Sequence, residues 1–224
     1  SFGVHTSGIN CIAWQPDELR IASCSSDARI LIWNIESLDV VLSLKGHNQA
    51  VTCVAWNSRG SSLASGSGDG TVIIWDASLG TATLVLKQKA VADLAWRHDG
   101  EQIVTCSSDK SLKIWHVATG ELVSAHQGHR SGVNSVDWSS NEALIASGSD
   151  DSTIIVWNAK WQEETQDPKS NSSGHRGPVR RVTWNPSGNQ LASCSSDKTI
   201  IIWEAATGRQ IGVLNGHQDD VSSA

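Results

Sequence analysis

The chain has 224 residues, and its 17 Lys and Arg against 23 Asp and Glu give a formal net charge of −6. This length suffices for one large or two small domains with a substantial core. The acidic balance argues against direct nucleic-acid binding, which needs a basic surface. No apolar run approaches the roughly 18 residues of a membrane-spanning helix, so we expect neither a nucleic-acid-binding protein nor a membrane protein.

Short β-type runs separated by turn residues follow one another along the chain. After His5 come the runs 9–14, 20–34 and 40–44. The next stretch, 46–76, is the clearest unit, since it begins with Gly-His, ends with Trp-Asp and is followed by a further run at 82–87. Its run TVIIW is typical of a strand buried on both faces. The pattern predicts four short strands in each stretch.

Tryptophan marks the period of this pattern. A closing Trp recurs with spacings of 42, 40, 42 and 46 residues, at Trp33, Trp75, Trp115, Trp157 and Trp203. A second Trp ends the first run of each stretch, at Trp14, Trp56, Trp96, Trp138 and Trp184. A period near 40 with Gly-His and Trp-Asp-like ends is the signature of four-stranded propeller blades. The sequence resembles the WD-repeat β-propeller family over nearly its whole length.

The resemblance implies an all-β fold, a β-propeller of four-stranded antiparallel blades. Residues 1–224 would form one propeller domain or part of one. The blades would span about residues 5–45, 46–86, 87–127, 128–173 and 174–215, and 216–224 would begin a sixth. Three arrangements are open: a fragment of a larger ring, a closed five-bladed ring, and an open assembly that another chain completes.

Two repeats depart from the pattern. In the third, Lys87 stands where His is expected, so we expect a looser blade or a Lys87 side chain in solvent. Between Trp157 and His175 the link is 18 residues, against 12 to 14 elsewhere. Its polar segment KWQEETQDPKSNSS predicts an enlarged surface loop. Within it, Trp161 has no repeat equivalent and is either an exposed partner anchor or a side chain that pins the loop.

A His, a hydroxyl residue, an Asp and the closing Trp recur together at fixed positions. In the WD-repeat family, residues like these form a buried chain of hydrogen bonds from indole to hydroxyl to His to Asp, and the resemblance implies the same role here. The residues are His5, Ser23, Asp27 and Trp33; His47, Ser65, Asp69 and Trp75; Thr105, Asp109 and Trp115; His129, Ser147, Asp151 and Trp157; and His175, Ser193, Asp197 and Trp203.

The same residue types also occur in hydrolase triads. A nucleophile needs a unique exposed site, whereas this set recurs with a Trp attached. We therefore expect no catalytic residue and a non-enzymatic protein. The first-run Trp residues have a different expected role, since each should pack between neighbouring blades.

The five cysteines lack the paired spacing of a disulfide framework or a zinc site. Three of them, Cys24, Cys106 and Cys194, occupy one repeat position where Gly66 and Gly148 stand elsewhere. We expect small packing residues in a reducing compartment. Residues 1–14 also lack the pattern of a secretory signal. The sequence predicts an intracellular protein, cytoplasmic or nuclear, with no metal site and no cofactor.

The resemblance implies a rigid scaffold that binds partner proteins or peptides on the propeller face. Transferring the face positions of the family to this chain, together with the neighbouring arginines, selects Ala50, Cys53, Asp93, Ser135, Asp150, Arg176, Arg180 and Arg181. The three arginines form a local basic cluster, which predicts either an acidic or phosphorylated ligand or a solvated rim. The alternative function is a self-assembling or partner-completed propeller fragment, within an oligomer or a larger complex.

Overall fold

The structure is a computed structural model in which residues 4–16, 19–159 and 170–223 are described. These residues form twenty strands, with turns and connecting segments between them. No helix occurs among them, so no described segment has the form of a helix that crosses a membrane.

The strands form five four-stranded sheets, each with its strands in sequence order. The first sheet contains β1 (Ile9–Trp14), β2 (Arg20–Ser25), β3 (Arg29–Asn34) and β4 (Val40–Lys45). The second contains β5 (Val51–Trp56), β6 (Ser62–Ser67), β7 (Thr71–Asp76) and β8 (Ala82–Lys87). The third contains β9 (Val91–Trp96), β10 (Gln102–Ser107), β11 (Ser111–His116) and β12 (Leu122–Gln127).

The fourth sheet contains β13 (Val133–Trp138), β14 (Leu144–Ser149), β15 (Thr153–Asn158) and β16 (Ser170–Ser173). The fifth contains β17 (Val179–Trp184), β18 (Gln190–Ser195), β19 (Ile200–Glu204) and β20 (Arg209–Leu214). The prediction of an all-β fold made of four-stranded antiparallel sheets is confirmed.

The turn between the second and third strands of each sheet needs a left-handed residue. In the second sheet this residue is Gly70, with φ of +82°, and a Cβ there would lie 2.5 Å from the Gln88 carbonyl oxygen. The other sheets place a non-glycine residue at the equivalent position with φ of 65° to 74°: Ala28, Lys110, Ser152 and Lys198. Such residues adopt this conformation at a cost, so the turn geometry is imposed by the strands that it joins.

The described chain divides into two compact units, residues 1–103 with 115–121 and residues 104–114 with 122–224. In the first unit, one apolar cluster includes Ile30, Ile32 and Leu63. A second cluster in that unit includes Ile74 and Leu94. Each cluster lies between consecutive sheets, so the β-branched central strands bury apolar side chains on both faces.

The second unit has its own core between the fourth and fifth sheets. Ile154 and Val156 of β15 pack there against Val182 of β17 and Ile201 of β19. The long apolar runs of the sequence therefore correspond to third strands that lie in the interior.

The small buried position predicted from Cys and Gly is present in the structure. Cys24 and Cys194 are fully buried. At Gly66 an added Cβ would lie 2.5 Å from Cγ1 of Val91, and at Gly148 it would lie 2.6 Å from Cγ1 of Val179. The neighbouring strand therefore leaves little space at this position.

The prediction of a surface loop over residues 160–173 is wrong for its last four residues. Ser170–Ser173, at the end of that segment, forms strand β16 and pairs with β15, with Ser172 opposite Ile154. An edge strand needs only backbone hydrogen bonds on one side, so polar residues are tolerated there. Residues 170–173 therefore lack the apolar alternation that would indicate a strand. Residues 160–169, including Trp161, lie outside the described residues.

The predicted packing role of the first-strand tryptophans holds for four of them and fails for Trp14. Trp96 packs against the cluster of the second and third sheets, and its indole N–H donates to the Ala55 carbonyl at 2.9 Å. Trp56, Trp138 and Trp184 are buried, with at most 9% of each residue exposed, and Trp96 is partly buried. Trp14 is 56% exposed. The Trp56 indole N–H donates to the Ala13 carbonyl of the preceding sheet at 3.1 Å. No described residue offers Trp14 such an acceptor, so this tryptophan is not an interior packing residue.

Candidate functional site

The recurring polar set forms a connected chain of hydrogen bonds inside the fourth sheet. The Trp157 indole N–H donates to Ser147 Oγ at 2.9 Å, and Ser147 Oγ lies 2.8 Å from His129 Nε2. His129 Nδ1 lies 3.1 Å from Asp151 Oδ2. Because the ionised carboxylate can only accept, Nδ1 carries the proton and Nε2 accepts from the serine hydroxyl.

The first and fifth sheets contain the same chain. In the first, the Trp33 indole N–H donates to Ser23 Oγ at 2.8 Å, and the ring of His5 joins Ser23 to Asp27. In the fifth, His175 Nδ1 lies 2.9 Å from the Asp197 carboxylate. The bonds of Ser193 to Trp203 and to His175 measure 2.8 and 2.7 Å.

In the second sheet a threonine hydroxyl joins the histidine to the carboxylate. His47 Nδ1 lies 2.8 Å from Thr71 Oγ1, which donates to Asp69 Oδ1 at 2.6 Å, whereas Nδ1 is 3.5 Å from Asp69 Oδ2. Sequence reasoning missed this hydroxyl. Its signal was present, because a Thr or Ser follows the turn Asp by two residues in four repeats: Thr71, Ser111, Thr153 and Thr199.

The turn carboxylates are held in their charged form. Asp197 accepts hydrogen bonds from the Thr199 hydroxyl and from the backbone N–H groups of Arg176 and Thr199. Burial alone would raise the pKa of Asp197, but these bonds and the one from His175 lower it to about 2. Hydrogen bonds likewise outweigh burial and lower the pKa of Asp69 and Asp151. Each carboxylate therefore binds the turn together.

The third sheet lacks the histidine. Lys87 is exposed, which agrees with the alternative that places its side chain in solvent. The Thr105 hydroxyl donates to the Lys113 carbonyl at 3.3 Å, and Asp109 accepts from the N–H and hydroxyl of Ser111. Trp115 is buried. The turn of this sheet is therefore bound by its Asp in the same way, without a His.

The polar sets do not have the geometry of a catalytic site. Ser65, Ser147 and Ser193 are fully buried, and each hydroxyl contacts both a His and a Trp indole. A substrate could not reach such a hydroxyl without opening the sheet. The geometry therefore supports a structural role.

Three residues of the predicted binding face are buried, and the prediction is corrected for them. Cys53, Asp93 and Ser135 each have at most 5% of their surface exposed, and Ala50 is partly buried. In the second, fourth and fifth sheets, as in the first, a β-bulge at the start of the first strand shifts the register just before this position. A bulge changes the direction of the side chains around it. The side chain at the position transferred from the family is therefore buried instead of exposed on the binding face.

In the fourth and fifth sheets, the residue at the bulge carries polar groups that reach the surface; Arg180 was predicted as a binding residue, and Asn134 was not. The Asn134 side-chain amide donates to Asp150 Oδ1 at 2.8 Å. Arg180 Nη1 lies 3.3 Å from the same oxygen, and its Nε donates to Ser196 Oγ at 2.8 Å. We call these four residues, Asn134, Asp150, Arg180 and Ser196, the Asp150 surface. This surface brings together two of the predicted binding residues, Asp150 and Arg180.

The other two predicted arginines have different surroundings. Arg181 follows Arg180 on strand β17, lies opposite Cys194 in the register with β18 and is partly buried, whereas Arg180 is exposed. Arg176 is exposed and lines a groove of about 450 Å³ together with Asp197 and Gln210. The three arginines differ in burial and in neighbours, and only Arg180 belongs to the Asp150 surface.

Comparison with protein families agrees with this geometry. The family described as WD domain, G-beta repeat, matches five segments of the chain, residues 1–34, 38–76, 81–116, 120–158 and 166–204. The chain belongs to the WD-repeat family. The comparison with curated proteins finds no match. WD-repeat proteins are generally scaffolds for protein interaction and typically are not enzymes.

The WD-repeat chain has no arrangement that would hold a metal ion within the residues that the structure describes. No three His, Cys, Asp or Glu side chains of residues 4–16, 19–159 and 170–223 are grouped in that way. The histidines of the repeats are held by hydroxyl and carboxylate groups instead.

Proposed function

We propose that this WD-repeat protein is a non-enzymatic scaffold that binds partner proteins or peptides through the Asp150 surface. Family membership supports the scaffold role, and the exposed ion pair between Asp150 and Arg180 supports the location. Their side chains are 43% and 39% exposed. An ion pair this exposed adds little to stability, so its charges are available to a partner.

The hydrogen bonds of the surface orient its charges toward solvent. Asn134 and Arg180 share one carboxylate oxygen of Asp150, and Ser196 holds the Nε of Arg180. Side chains that are already positioned lose less conformational entropy when they bind. An acidic or phosphorylated peptide would pair with the Arg180 guanidinium in competition with Asp150. A partner carrying both charges would engage both residues.

The test is the recovery of partner proteins on the immobilised chain with single substitutions. We expect Arg180→Ala and Asp150→Ala each to reduce recovery of the same partners by about tenfold, the effect of losing a central interface contact. Quantitative mass spectrometry of the bound proteins measures it.

The matched control is Arg209→Ala, which removes the exposed Arg209–Glu204 pair of the fifth sheet, with 3.7 Å between Nε and Oε2. Recovery should not change with this variant. Unchanged recovery with all three variants would exclude the Asp150 surface as the binding site, although partners held by the wild type would still support a scaffold.

A second candidate function is association with another polypeptide through strand β1. Ile9 and Ile12 are 58% and 61% exposed, and Trp14 is exposed beside them. The equivalent residues of the fourth sheet, Val133 and Val136, are buried. Several large apolar side chains that are exposed on one strand favour an interaction site.

Light scattering over a range of concentrations tests this second candidate. The apparent mass of the wild type should rise with concentration, and Trp14→Ser should weaken the association by about tenfold. Leu38→Ser, which removes another exposed apolar side chain of the first unit, should have no effect. A wild type that stays monomeric throughout would argue against self-association.

A further inference from the structure

One pair of cysteines lies directly across two neighbouring strands. Cys11 of β1 is opposite Cys24 of β2 in the register of the first sheet. The equivalent pairs in the other sheets are Cys53 with Gly66, Ser135 with Gly148, and Arg181 with Cys194. Of these four pairs, only the pair in the first sheet consists of two cysteines.

The two thiols interact across the paired strands. A side-chain hydrogen bond joins Cys24 to Cys11. The second sheet shows the geometry of this register position, because an ideal Cβ at Gly66 would lie 2.7 Å from the Cys53 Sγ. A disulfide with its S–S bond of about 2.04 Å brings the Cβ of one half to roughly 3 Å from the sulfur of the other. The register therefore places the two sulfurs within reach of a bond.

The two thiols differ in access to solvent. Cys24 is fully buried, whereas Cys11 is partly exposed. The hydrogen bond with Cys11 and burial raise the pKa of the Cys24 thiol well above its usual range. Cys11 is therefore the thiol that an external reagent meets first, and Cys24 is the thiol that resolves the intermediate.

We propose that Cys11 and Cys24 form a reversible thiol–disulfide site that low-molecular-weight disulfides oxidise. The Cys11 thiolate attacks one sulfur of the small disulfide, and the other half leaves as a thiolate. Cys24 gives its proton to that thiolate and attacks the Cys11 sulfur, which expels the second half. Two protein thiols are oxidised, and one small disulfide is reduced to two thiols.

The bond would anchor a strand that is poorly covered. Strand β1 exposes Ile9, Ile12 and Trp14, and in the first sheet it pairs with β2. A cross-link between these two strands restricts the unfolded chain and opposes separation of β1. The oxidised protein should therefore have the higher thermal midpoint.

The test is incubation of the native chain with oxidised glutathione, followed by tryptic mapping without reduction. Cleavage after Arg20, Arg29, Lys45 and Arg59 places Cys11, Cys24 and Cys53 on separate peptides. We expect a linked pair of peptides 1–20 and 21–29, the loss of two of the five thiols, and full reversal by dithiothreitol.

Single variants separate the two steps. Cys24→Ala, a small residue at a position that takes Gly elsewhere, should stop at one glutathione attached to Cys11. Cys11→Ser, the residue of the fourth sheet, should take up no glutathione and form no link. Cys53→Ser should behave as the wild type. Folding of each variant is checked by its thermal transition.

Two results would overturn the proposal. One is a native wild type that keeps all five thiols, while the same chain in urea reacts with oxidised glutathione. The other is a linked peptide that contains Cys53, which would show that another pair of sulfurs is closer.

Discussion

In four of the five repeats, two larger buried side chains, a His and a Trp, share one small hydroxyl. Ser65 accepts from the Trp75 indole at 2.8 Å and lies 2.7 Å from His47 Nε2. Both larger groups are desolvated, so each needs this partner. A hydroxyl suits the position because it accepts one bond and donates another within a volume that the sheet leaves open.

Removal of this hydroxyl should destabilise the protein. We expect Ser65→Ala to lower the free energy of unfolding by about 2–3 kcal/mol, because it leaves a buried indole N–H and a buried imidazole nitrogen without their partner. Urea unfolding measures the change. Ser78→Ala, at an exposed turn position, is the control and should stay within about 0.5 kcal/mol. A loss no larger than that of Ser78→Ala would contradict the structural role.

At the scale of the strand, β12 contains a buried histidine outside the recurring set. His126 has 3% of its surface exposed, and its ring packs edge-on against Trp157 with centroids 5.3 Å apart. Ser124 Oγ lies 3.0 Å from its Nε2. Burial lowers the pKa of His126 to about 4. The equivalent residues of β4 and β8 are Leu44 and Leu86, so this strand places an ionisable group where its relatives have an aliphatic one.

The pH dependence of the free energy of unfolding should contain a contribution from the titration of His126. Unfolded His126 binds a proton near pH 6.5, whereas folded His126 does so near pH 4. Between these values the unfolded state binds more protons, so the contribution to stability is complete above pH 6.5 and is lost as the pH falls through 4.

The substitution His126→Leu should remove the contribution of His126 to the pH dependence of stability, and the leucine side chain should still fill the space of the imidazole ring. Urea unfolding at pH 7.5, 6 and 5 measures both proteins, and the difference between them isolates His126 from His47 and His129, whose pKa burial also lowers. Parallel curves for the two proteins would show that His126 does not titrate differently in the folded state.

Over the whole molecule, repetition explains why so much of the fold was predictable. The predicted runs 9–14 and 82–87 coincide with β1 and β8, and the run 40–44 differs from β4 by one residue. Each repeat carries its own turn signal and its own closing Trp, so five parallel observations support one strand pattern. Strand β16 was missed because its polar sequence has no β-type periodicity.

The candidate site was less predictable, because side-chain direction depends on strand register. The bulge between Val51 and Cys53 turns Cys53 inward, and the same irregularity buries Ser135. The alternation of polar and apolar residues along the sequence does not indicate where a bulge occurs. Asn134, beside that bulge, was for the same reason passed over although it binds Asp150.

The amino-acid sequence by itself determined the repeat, the strand order within each sheet and the residues that bind each turn. These depend on local pattern, on hydrogen-bonding capacity and on the β-branched runs, all of which recur within about forty residues. The tertiary structure alone decided the exposure of Trp14, the pairing of Asp150 with Arg180, and the contact of Cys11 with Cys24. Each depends on register or on what covers a sheet, and these are relations between residues that are distant in the chain.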